Sequence, residues 1–239
     1  MNNTTKTALI VAAVVLFLLW KTDTNTALMD IENLGDIDQQ KYILQRLKNS
    51  GYKNPYTLAA MMATIKRESD FKPQTELSYR NTSAYRIKKI FPSKFKNWTD
   101  AQIDQLKKKD VEFFNHVYGG RYGNEQNEGY KYRGRGINQI TFKGNYEVVG
   151  AAIGKDLVNN PDQLNNLETA VKAFAAYMEI TRGYQKSAGK WPYPEIDKAR
   201  SLEEAQKMLL RLNVGTNATT DSTYYQHLKK WAPYYLKWV

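Results

Sequence analysis

Residues 54–69 read NPYTLAAMMATIKRES, the clearest helix signal in the chain. Asn54 offers a side-chain oxygen to the free backbone N–H groups of a first turn, and Pro55 suits the first helical position. The residues that follow are mostly apolar helix formers. Pro73 cannot continue a helix and disfavours helical backbone just before it. The stretch therefore predicts an apolar helix that ends ahead of Pro73.

Helical spacing of apolar residues recurs through most of the chain beyond residue 36, whereas β patterning is scarce. Further helices are predicted from 36 to the stop at Gly51 and over 83–90, 100–108, 111–118, 143–153, 167–180 and 202–212, with one or two over 221–237 interrupted at Pro233. Residues 119–136, rich in Gly, Tyr, Arg and Asn, predict a long loop with at most a short hairpin. The predicted fold class is mainly α.

The composition excludes several kinds of site. The chain has 239 residues with 42% hydrophobic and 25% charged content, which is typical of a folded protein. It lacks cysteine, so disulfides, thiolate metal ligands and cysteine nucleophiles are excluded. The two histidines, His116 and His227, are far apart and give poor support to a metal site or a Ser-His-Asp triad. A net charge of +11 favours an anionic partner without choosing among nucleic acid, lipid and cell-wall polymer.

Residues 8–20 read ALIVAAVVLFLLW and lie between Lys6 and Lys21. Together with Thr7, about 14 uncharged residues span roughly 21 Å as a helix, short of a bilayer core of about 30 Å. A cleaved signal peptide, a buried core helix and a membrane anchor are all compatible with this run. The weak cleavage signal and the absence of a polar face favour the anchor, with both lysines reaching the headgroups. The predicted organisation is an anchor over 1–21, a linker over 22–35 and one folded domain over 36–239.

Two carboxylates flank the end of the apolar helix. Glu68 lies at its C-terminal end, where an apolar surrounding would help a carboxylic acid keep its proton, although a lone Glu is more often a solvated surface residue. Glu76 follows eight residues later, beyond Pro73, so a loop can turn it back across a cleft. Two carboxylates on either side of one glycosidic bond are the usual machinery of its hydrolysis.

A third element is the run YRGRGINQITFKGNY over residues 132–146. Its glycines allow a tight turn and a close approach of the backbone to a ligand. Arg133 and Arg135 are suited to carboxylates or phosphates. A single Gly-Arg-Gly run differs from the repeated low-complexity form usual in nucleic-acid binding, so no nucleic-acid partner is predicted.

This run resembles the signature of glycoside hydrolase family 19, which includes chitinases and phage-type endolysins. Further segments in the order of the endolysin branch are Glu68-Ser69, Glu76-Leu77-Ser78-Tyr79, Ile90-Phe91-Pro92, residues 118–125 and Leu212-Asn213-Val214-Gly215. The resemblance covers about residues 36–235. It implies a lysozyme-like, two-lobed, mainly helical fold and inverting hydrolysis that needs no metal or other cofactor.

The resemblance also implies roles for individual residues. Glu68 matches the general acid, Glu76 the base that activates water, and Thr141 a hydroxyl that helps hold that water. The residues that match substrate-binding positions are Tyr79, Arg133, Arg135, Gln139, Asn145 and Asn213. Val214 departs from the Asn-Gly-Gly pattern of the family, and the absence of the disulfides of plant chitinases points to the bacterial or phage branch.

The function expected from these features is cleavage of β-1,4 bonds in peptidoglycan by a membrane-anchored enzyme. The membrane is that of a virion, with virion proteins as further partners, or the bacterial inner membrane with the enzyme facing the periplasm, since the basic N-terminal tail favours the cytoplasmic side. A lytic transglycosylase, which uses one Glu and no attacking water, and a chitinase are the enzymatic alternatives. The non-enzymatic alternative is a structural virion or envelope protein that binds the wall.

Overall fold

The computed structural model describes residues 37–239, and its regular structure is almost wholly helical. The helices are α1 (Ile37–Asn49), α2 (Pro55–Ser69), α3 (Ala84–Ile90), α4 (Pro92–Phe95), α5 (Asp100–Leu106), α6 (Asp110–Tyr118), α7 (Lys143–Ile153), α8 (Leu167–Ser187), α9 (Leu202–Val214) and α10 (Thr223–Tyr235). Short 3-10 turns occupy Pro161–Asn165, Ile196–Lys198 and Leu236–Trp238. This part of the chain contains no β-strand, and Arg135 and Ile140 form an isolated antiparallel bridge. The prediction of a mainly α fold is confirmed.

Helix α2 lies at the centre of the molecule. Its N-cap Asn54 accepts hydrogen bonds from the backbone N–H groups of Tyr56 and Thr57, as the sequence predicts. Its last turn is closed by Asp70, whose left-handed φ of 49° turns the chain away. Nearly all of its side chains are buried, because α1, α9 and α10 pack around it. A helix enclosed on so many sides needs no polar face.

The buried hydrophobic side chains form two separate clusters. The larger cluster joins α1, α2 and α7–α10. The smaller cluster is built around α3–α6 and is largely aromatic; its rings belong to Tyr79, Phe91, Phe95, Phe113, Phe114, Tyr118 and Phe142. Tyr122 packs against both clusters. The loop between α6 and α7 therefore runs along the boundary of the two cores.

Two expectations about helix length were wrong. Helix α10 continues through Pro233 and ends at Tyr235, although proline removes one helical hydrogen bond. Ala232 and Tyr235 are fully buried on either side of it, so packing holds the last turn in helical form. Helix α8 runs seven residues past the predicted end, to Ser187. Buried Thr181 and Gln185 extend its inner face there, which a search for apolar residues does not detect.

The predicted membrane anchor and linker over residues 1–35 lie outside the described residues. Among the helices of residues 37–239, none combines the length and apolar character needed to cross a bilayer.

Candidate active site

Glu68 lies in the last turn of α2 and is 2% exposed. Two phenol groups from other helices face it, Tyr177 of α8 and Tyr224 of α10. Burial, and after it the charge of the neighbouring Glu68, raises the pKa of Tyr177 and of Tyr224 well above the ordinary value. Because both phenols stay protonated, they are potential hydrogen-bond donors in the surroundings of the Glu68 carboxyl group.

Glu76 lies in the segment between α2 and α3, where three donors converge on its carboxylate. Tyr79 and Tyr118 donate their hydroxyl hydrogens to Oε1 over 3.0 and 2.9 Å. The backbone N–H of Gly134 donates to Oε2 over 3.0 Å. In return, the backbone N–H of Glu76 donates to the carbonyl oxygen of Gly134 over 2.7 Å. The carboxylate is thereby fixed in one orientation.

The surroundings of Glu76 act on its ionisation in opposite directions. Removal of the carboxylate from water raises its pKa, and this is the largest influence. The hydrogen bonds from Gly134, Tyr118 and Tyr79, together with the charge of Arg133, lower the pKa but do not cancel the effect of burial. The residue as a whole is partly exposed, although three hydrogen-bond donors surround its carboxylate. The pKa of Glu76 is therefore above the ordinary value for a Glu.

The segment that carries Glu76 lies antiparallel to the loop that follows residue 133. Besides the bonds of Glu76, the N–H of Gln74 points to the carbonyl oxygen of Gly136 at 3.5 Å. Gln139 donates its side-chain amide to the carbonyl oxygen of Gln74 over 2.9 Å. A Cβ atom at Gly134 would lie 2.7 Å from Oε1 of Gln139 and 3.3 Å from Oε2 of Glu76. A side chain at position 134 therefore requires the Gln139 amide to shift and the Glu76 carboxylate to move by a few tenths of an ångström.

Thr141 lies in the next turn of the same loop, and Asn145 lies in the first turn of α7. The Thr141 hydroxyl donates to the carbonyl oxygen of Gln139 over 2.9 Å, and the Asn145 amide donates to the carbonyl oxygen of Thr141 over 2.7 Å. All three residues are buried. Gln139 and Phe142 have positive φ angles of 53° and 74°, which side chains rarely adopt. Strain of this kind is typical of sites whose geometry is fixed by function.

Comparison with known proteins identifies a family that part of this chain resembles. The family model described as "Chitinase class I" matches residues 116–193, which include Tyr118, Gly134 and Thr141. A glycosyl hydrolase family 19 domain-containing protein of Haemophilus influenzae is 28% identical over 182 residues, which cover 73% of this chain and 79% of that protein. Residues 116–193 thus identify a glycoside hydrolase family 19 domain in the chain.

Plant endochitinases match a shorter part of the chain. Acidic endochitinase Q of Nicotiana tabacum is 54% identical over 82 residues, 32% of each chain. Basic endochitinase B of Arabidopsis thaliana is 38% identical over 79 residues, which cover 30% of this chain and 23% of that protein. This domain and the similarity to the endochitinases make the protein a glycosidase, an enzyme that hydrolyses O-glycosidic bonds. Glu68 and Glu76 precede the segment that the family model matches.

The two arginines of the family 19 loop have different surroundings. Arg135 is buried, and its guanidinium donates to Asp162 over 2.7 Å and to the Tyr146 hydroxyl over 3.1 Å, besides two backbone carbonyl oxygens. These contacts tie the loop to the body of the domain. Arg133 is partly exposed and lies 3.8 Å from the centre of the Tyr130 ring. The geometry therefore favours Arg133 over Arg135 for the predicted contact with substrate.

Tyr79 and Asn213 also make internal contacts. Tyr79 packs in the aromatic cluster and holds Glu76, as described above. Asn213 lies in the last turn of α9, 1% exposed, and donates its amide to the carbonyl oxygen of Leu209 over 2.7 Å. Gly215 ends this helix with a φ of 108°. The predicted sugar contacts of both side chains stay predictions.

The structure thus assembles Glu76, Tyr79, Gln139 and the loop around Gly134 into one hydrogen-bonded network. Glu68 belongs to different surroundings, between α8 and α10. Tyr118 was not predicted from the sequence to be a partner of Glu76. Its position just before the Gly-Gly pair of residues 119–120, inside the family-like segment, was the available signal.

Proposed function

We propose that this glycosidase hydrolyses the β-1,4 bonds between the amino sugars of peptidoglycan, with Glu68 as general acid and Glu76 as general base. The observation that carries the proposal is the attachment of the Glu76 carboxylate to Gly134 and Tyr118. Both partners lie within the family-matched segment, although Glu76 itself lies outside it. The second carboxylate is therefore held by the most family-like part of the chain, in a domain proposed to be lysozyme-like and two-lobed.

The reaction follows from the roles of the two carboxyl groups. Protonated Glu68 donates its proton to the glycosidic oxygen as the bond to the anomeric carbon breaks. Ionised Glu76 accepts a proton from a water molecule, whose oxygen attacks the anomeric carbon from the opposite face. Inversion requires room for that water, which corresponds to a separation of roughly 6.5–9.5 Å between the carboxyl groups. Thr141 is proposed to help hold the water, and Gln139 and Asn145 to contact the sugars.

Two observations favour peptidoglycan over chitin. The net charge of +11 suits an anionic cell wall better than a neutral polysaccharide. The relative that covers 73% of the chain is bacterial, whereas the plant endochitinases described above cover 32% or less of this chain. Chitin remains the second candidate substrate, because those two plant relatives are named as endochitinases.

The test is digestion of purified peptidoglycan and of chitin oligosaccharides, followed by mass analysis of the products. Hydrolysis yields a new reducing end, whereas a lytic transglycosylase yields an anhydro end. The Glu68→Gln variant should lose activity about 10²–10⁴-fold, since Gln keeps the shape of the side chain but cannot donate a proton. Products with anhydro ends, or near-normal turnover by folded Glu68→Gln, would overturn the assignment.

We further propose that residues 8–20 anchor the enzyme in a membrane, either of a virion or of the bacterial inner membrane. The run of apolar residues between Lys6 and Lys21 supports this location. A structural virion protein that only binds the wall is the non-enzymatic alternative. Release of soluble muropeptides by the wild type, and its loss in Glu68→Gln, would exclude that alternative.

A further inference from the structure

The C-terminal segment carries a stripe of partly exposed rings. His227, Trp231, Tyr234 and Trp238 follow one another at intervals of four, three and four residues, which places them on one side of α10 and the turn after it. Neighbouring rings are in contact, with centroids 6.2, 6.1 and 5.4 Å apart. These four residues are called the aromatic stripe.

The surroundings of the aromatic stripe are strongly basic. Lys229, Lys230 and Lys237 are exposed, and the last 18 residues of the chain contain no Asp or Glu. The Lys230 ammonium lies 5.2 Å from the centre of the Trp231 ring. Lys66 of α2 lies 4.6 Å from the same ring and pairs with Asp70. The surface therefore combines half-buried amphipathic rings with an excess of positive charge.

The aromatic stripe also lies where the described domain begins. Tyr235, next to Tyr234, donates its hydroxyl hydrogen to Gln40 in the first turn of α1 over 3.1 Å. The chain before residue 37 consequently joins the domain close to the stripe. Sixteen residues separate the apolar run of residues 8–20 from residue 37. They span at most about 55 Å as extended chain.

We propose that the aromatic stripe and its lysines rest in the headgroup region of an anionic lipid bilayer. Trp and Tyr concentrate at that depth because their rings are apolar and their N–H or O–H groups need water. Lysines beside them gain free energy from anionic headgroups. A glycan track is less suited to this surface, since neighbouring rings are inclined by 40°, 85° and 56° and offer no common stacking plane. The contact would fix the orientation of the domain on the membrane, independently of its glycosidase chemistry.

The test uses the full chain reconstituted in vesicles of phosphatidylcholine, with or without phosphatidylglycerol, that contain brominated lipids. Brominated lipids quench tryptophan fluorescence at the bilayer surface. The Trp231→Phe and Trp238→Phe variants should each remove part of the quenchable fluorescence in the anionic vesicles. Trp98→Phe is the matched control, because Trp98 is also partly exposed but packs against the smaller cluster.

Charge reversal supplies the second measurement. One lysine near an anionic surface shifts binding about fivefold, so Lys230→Glu with Lys237→Glu should release the domain and abolish the quenching of Trp231 and Trp238. Lys108→Glu with Lys109→Glu, an exposed pair next to α6, should leave that quenching unchanged. The proposal is overturned if both charge pairs behave alike, if Trp231 and Trp238 escape quenching, or if soluble glycan fragments rather than lipid alter their fluorescence.

Discussion

As the proposed general base, Glu76 must be ionised to accept a proton from water, yet its burial works against ionisation. Tyr79, Tyr118 and Gly134 compensate in part, because hydrogen bonds donated to a carboxylate stabilise its charged form. These neighbours therefore influence the pKa of Glu76. We expect that pKa to define the acidic limit of activity.

The Tyr118→Phe variant tests this dependence. It removes one donor to Oε1 of Glu76 but keeps the ring that packs in the aromatic cluster. The pKa of Glu76 should rise further, so the acidic limb of the profile of kcat/KM against pH should move to higher pH. The measurement is that profile on soluble glycan fragments.

Tyr132→Phe is the matched control for Tyr118→Phe. Tyr132 is fully buried and donates its hydroxyl hydrogen to the carbonyl oxygen of Val158, away from Glu76. This variant should lose about 1 kcal/mol of stability, typical of one hydrogen bond, without moving the acidic limb. Equal profiles for both variants would show that Tyr118 does not control the ionisation of Glu76.

The raised pKa of Glu76 also predicts a dependence of stability on pH. The native state binds this proton more tightly than the unfolded state, whose Glu pKa is about 4.3. Stability should therefore fall as pH rises from that value through the pKa of the folded state. In Glu76→Gln this loss is absent, so the variant should melt at a higher temperature than wild type at neutral pH and lose that advantage near pH 4. Its activity should fall about 10²–10⁴-fold.

Thermal melts of wild type and Glu76→Gln across pH 4–8 give the check. Parallel Tm curves over that whole range would mean that folding does not raise the pKa of Glu76. A variant that melts lower than wild type at every pH would mean instead that the three hydrogen bonds outweigh the cost of burying the charge.

At the scale of elements, the sequence predicted those helix ends that are determined by residues at the end itself, such as a capping side chain or a proline. Asn54 and Pro55 start α2 as expected, and the predicted bounds of α7, residues 143–153, are those observed. The end of α8 and the continuation of α10 through Pro233 depend on packing against other helices, which one sequence window does not contain.

The contacts of the site were not predictable in the same way. Glu76 meets Gly134 across 58 residues of chain and Tyr118 across 42. Such pairings depend on how the segment after α2 lies along the family 19 loop. The family resemblance indicated the candidate site residues, whereas the contacts between them could be seen only in the folded structure.

Two glycine substitutions compare the effect of an added methyl group in the family 19 loop with its effect in a helix. Gly134→Ala places a methyl group 2.7 Å from Oε1 of Gln139 and 3.3 Å from Oε2 of Glu76, so the Gln139 side chain must shift and the Glu76 carboxylate must move. Its kcat should fall at least about tenfold, since small misplacements of catalytic groups are costly. Gly183→Ala in α8 meets nothing within 4 Å and should stabilise the domain by about 0.5–1 kcal/mol with unchanged kcat.

Urea denaturation and steady-state kinetics on both glycine variants give the measurements. Wild-type kcat in Gly134→Ala would show that the loop accommodates a side chain without moving the Glu76 carboxylate. A stability loss in Gly183→Ala would indicate that the middle of α8 has less space than the structure shows.

At the scale of the whole molecule, residues 37–239 contain both hydrophobic clusters and both candidate catalytic carboxylates. Helix α2 is already enclosed by α1, α9 and α10. We therefore expect residues 37–239 to fold without the apolar run of residues 8–20.

Deletion of residues 1–20 should accordingly yield a soluble protein with the melting temperature of the full chain in detergent and the same kcat/KM on soluble glycan fragments. Activity on wall fragments held next to vesicles should fall, because the enzyme is no longer concentrated at the membrane surface. Circular dichroism melts and product release from both substrates measure the two effects.

If residues 8–20 instead pack into the domain as a core helix, the deletion would expose apolar surface, lower the Tm and cause aggregation, and the anchor proposal would fail. A cleaved signal peptide gives a third result: the mature protein purified from its native membrane fraction or culture medium would begin after residue 21 and would need no detergent.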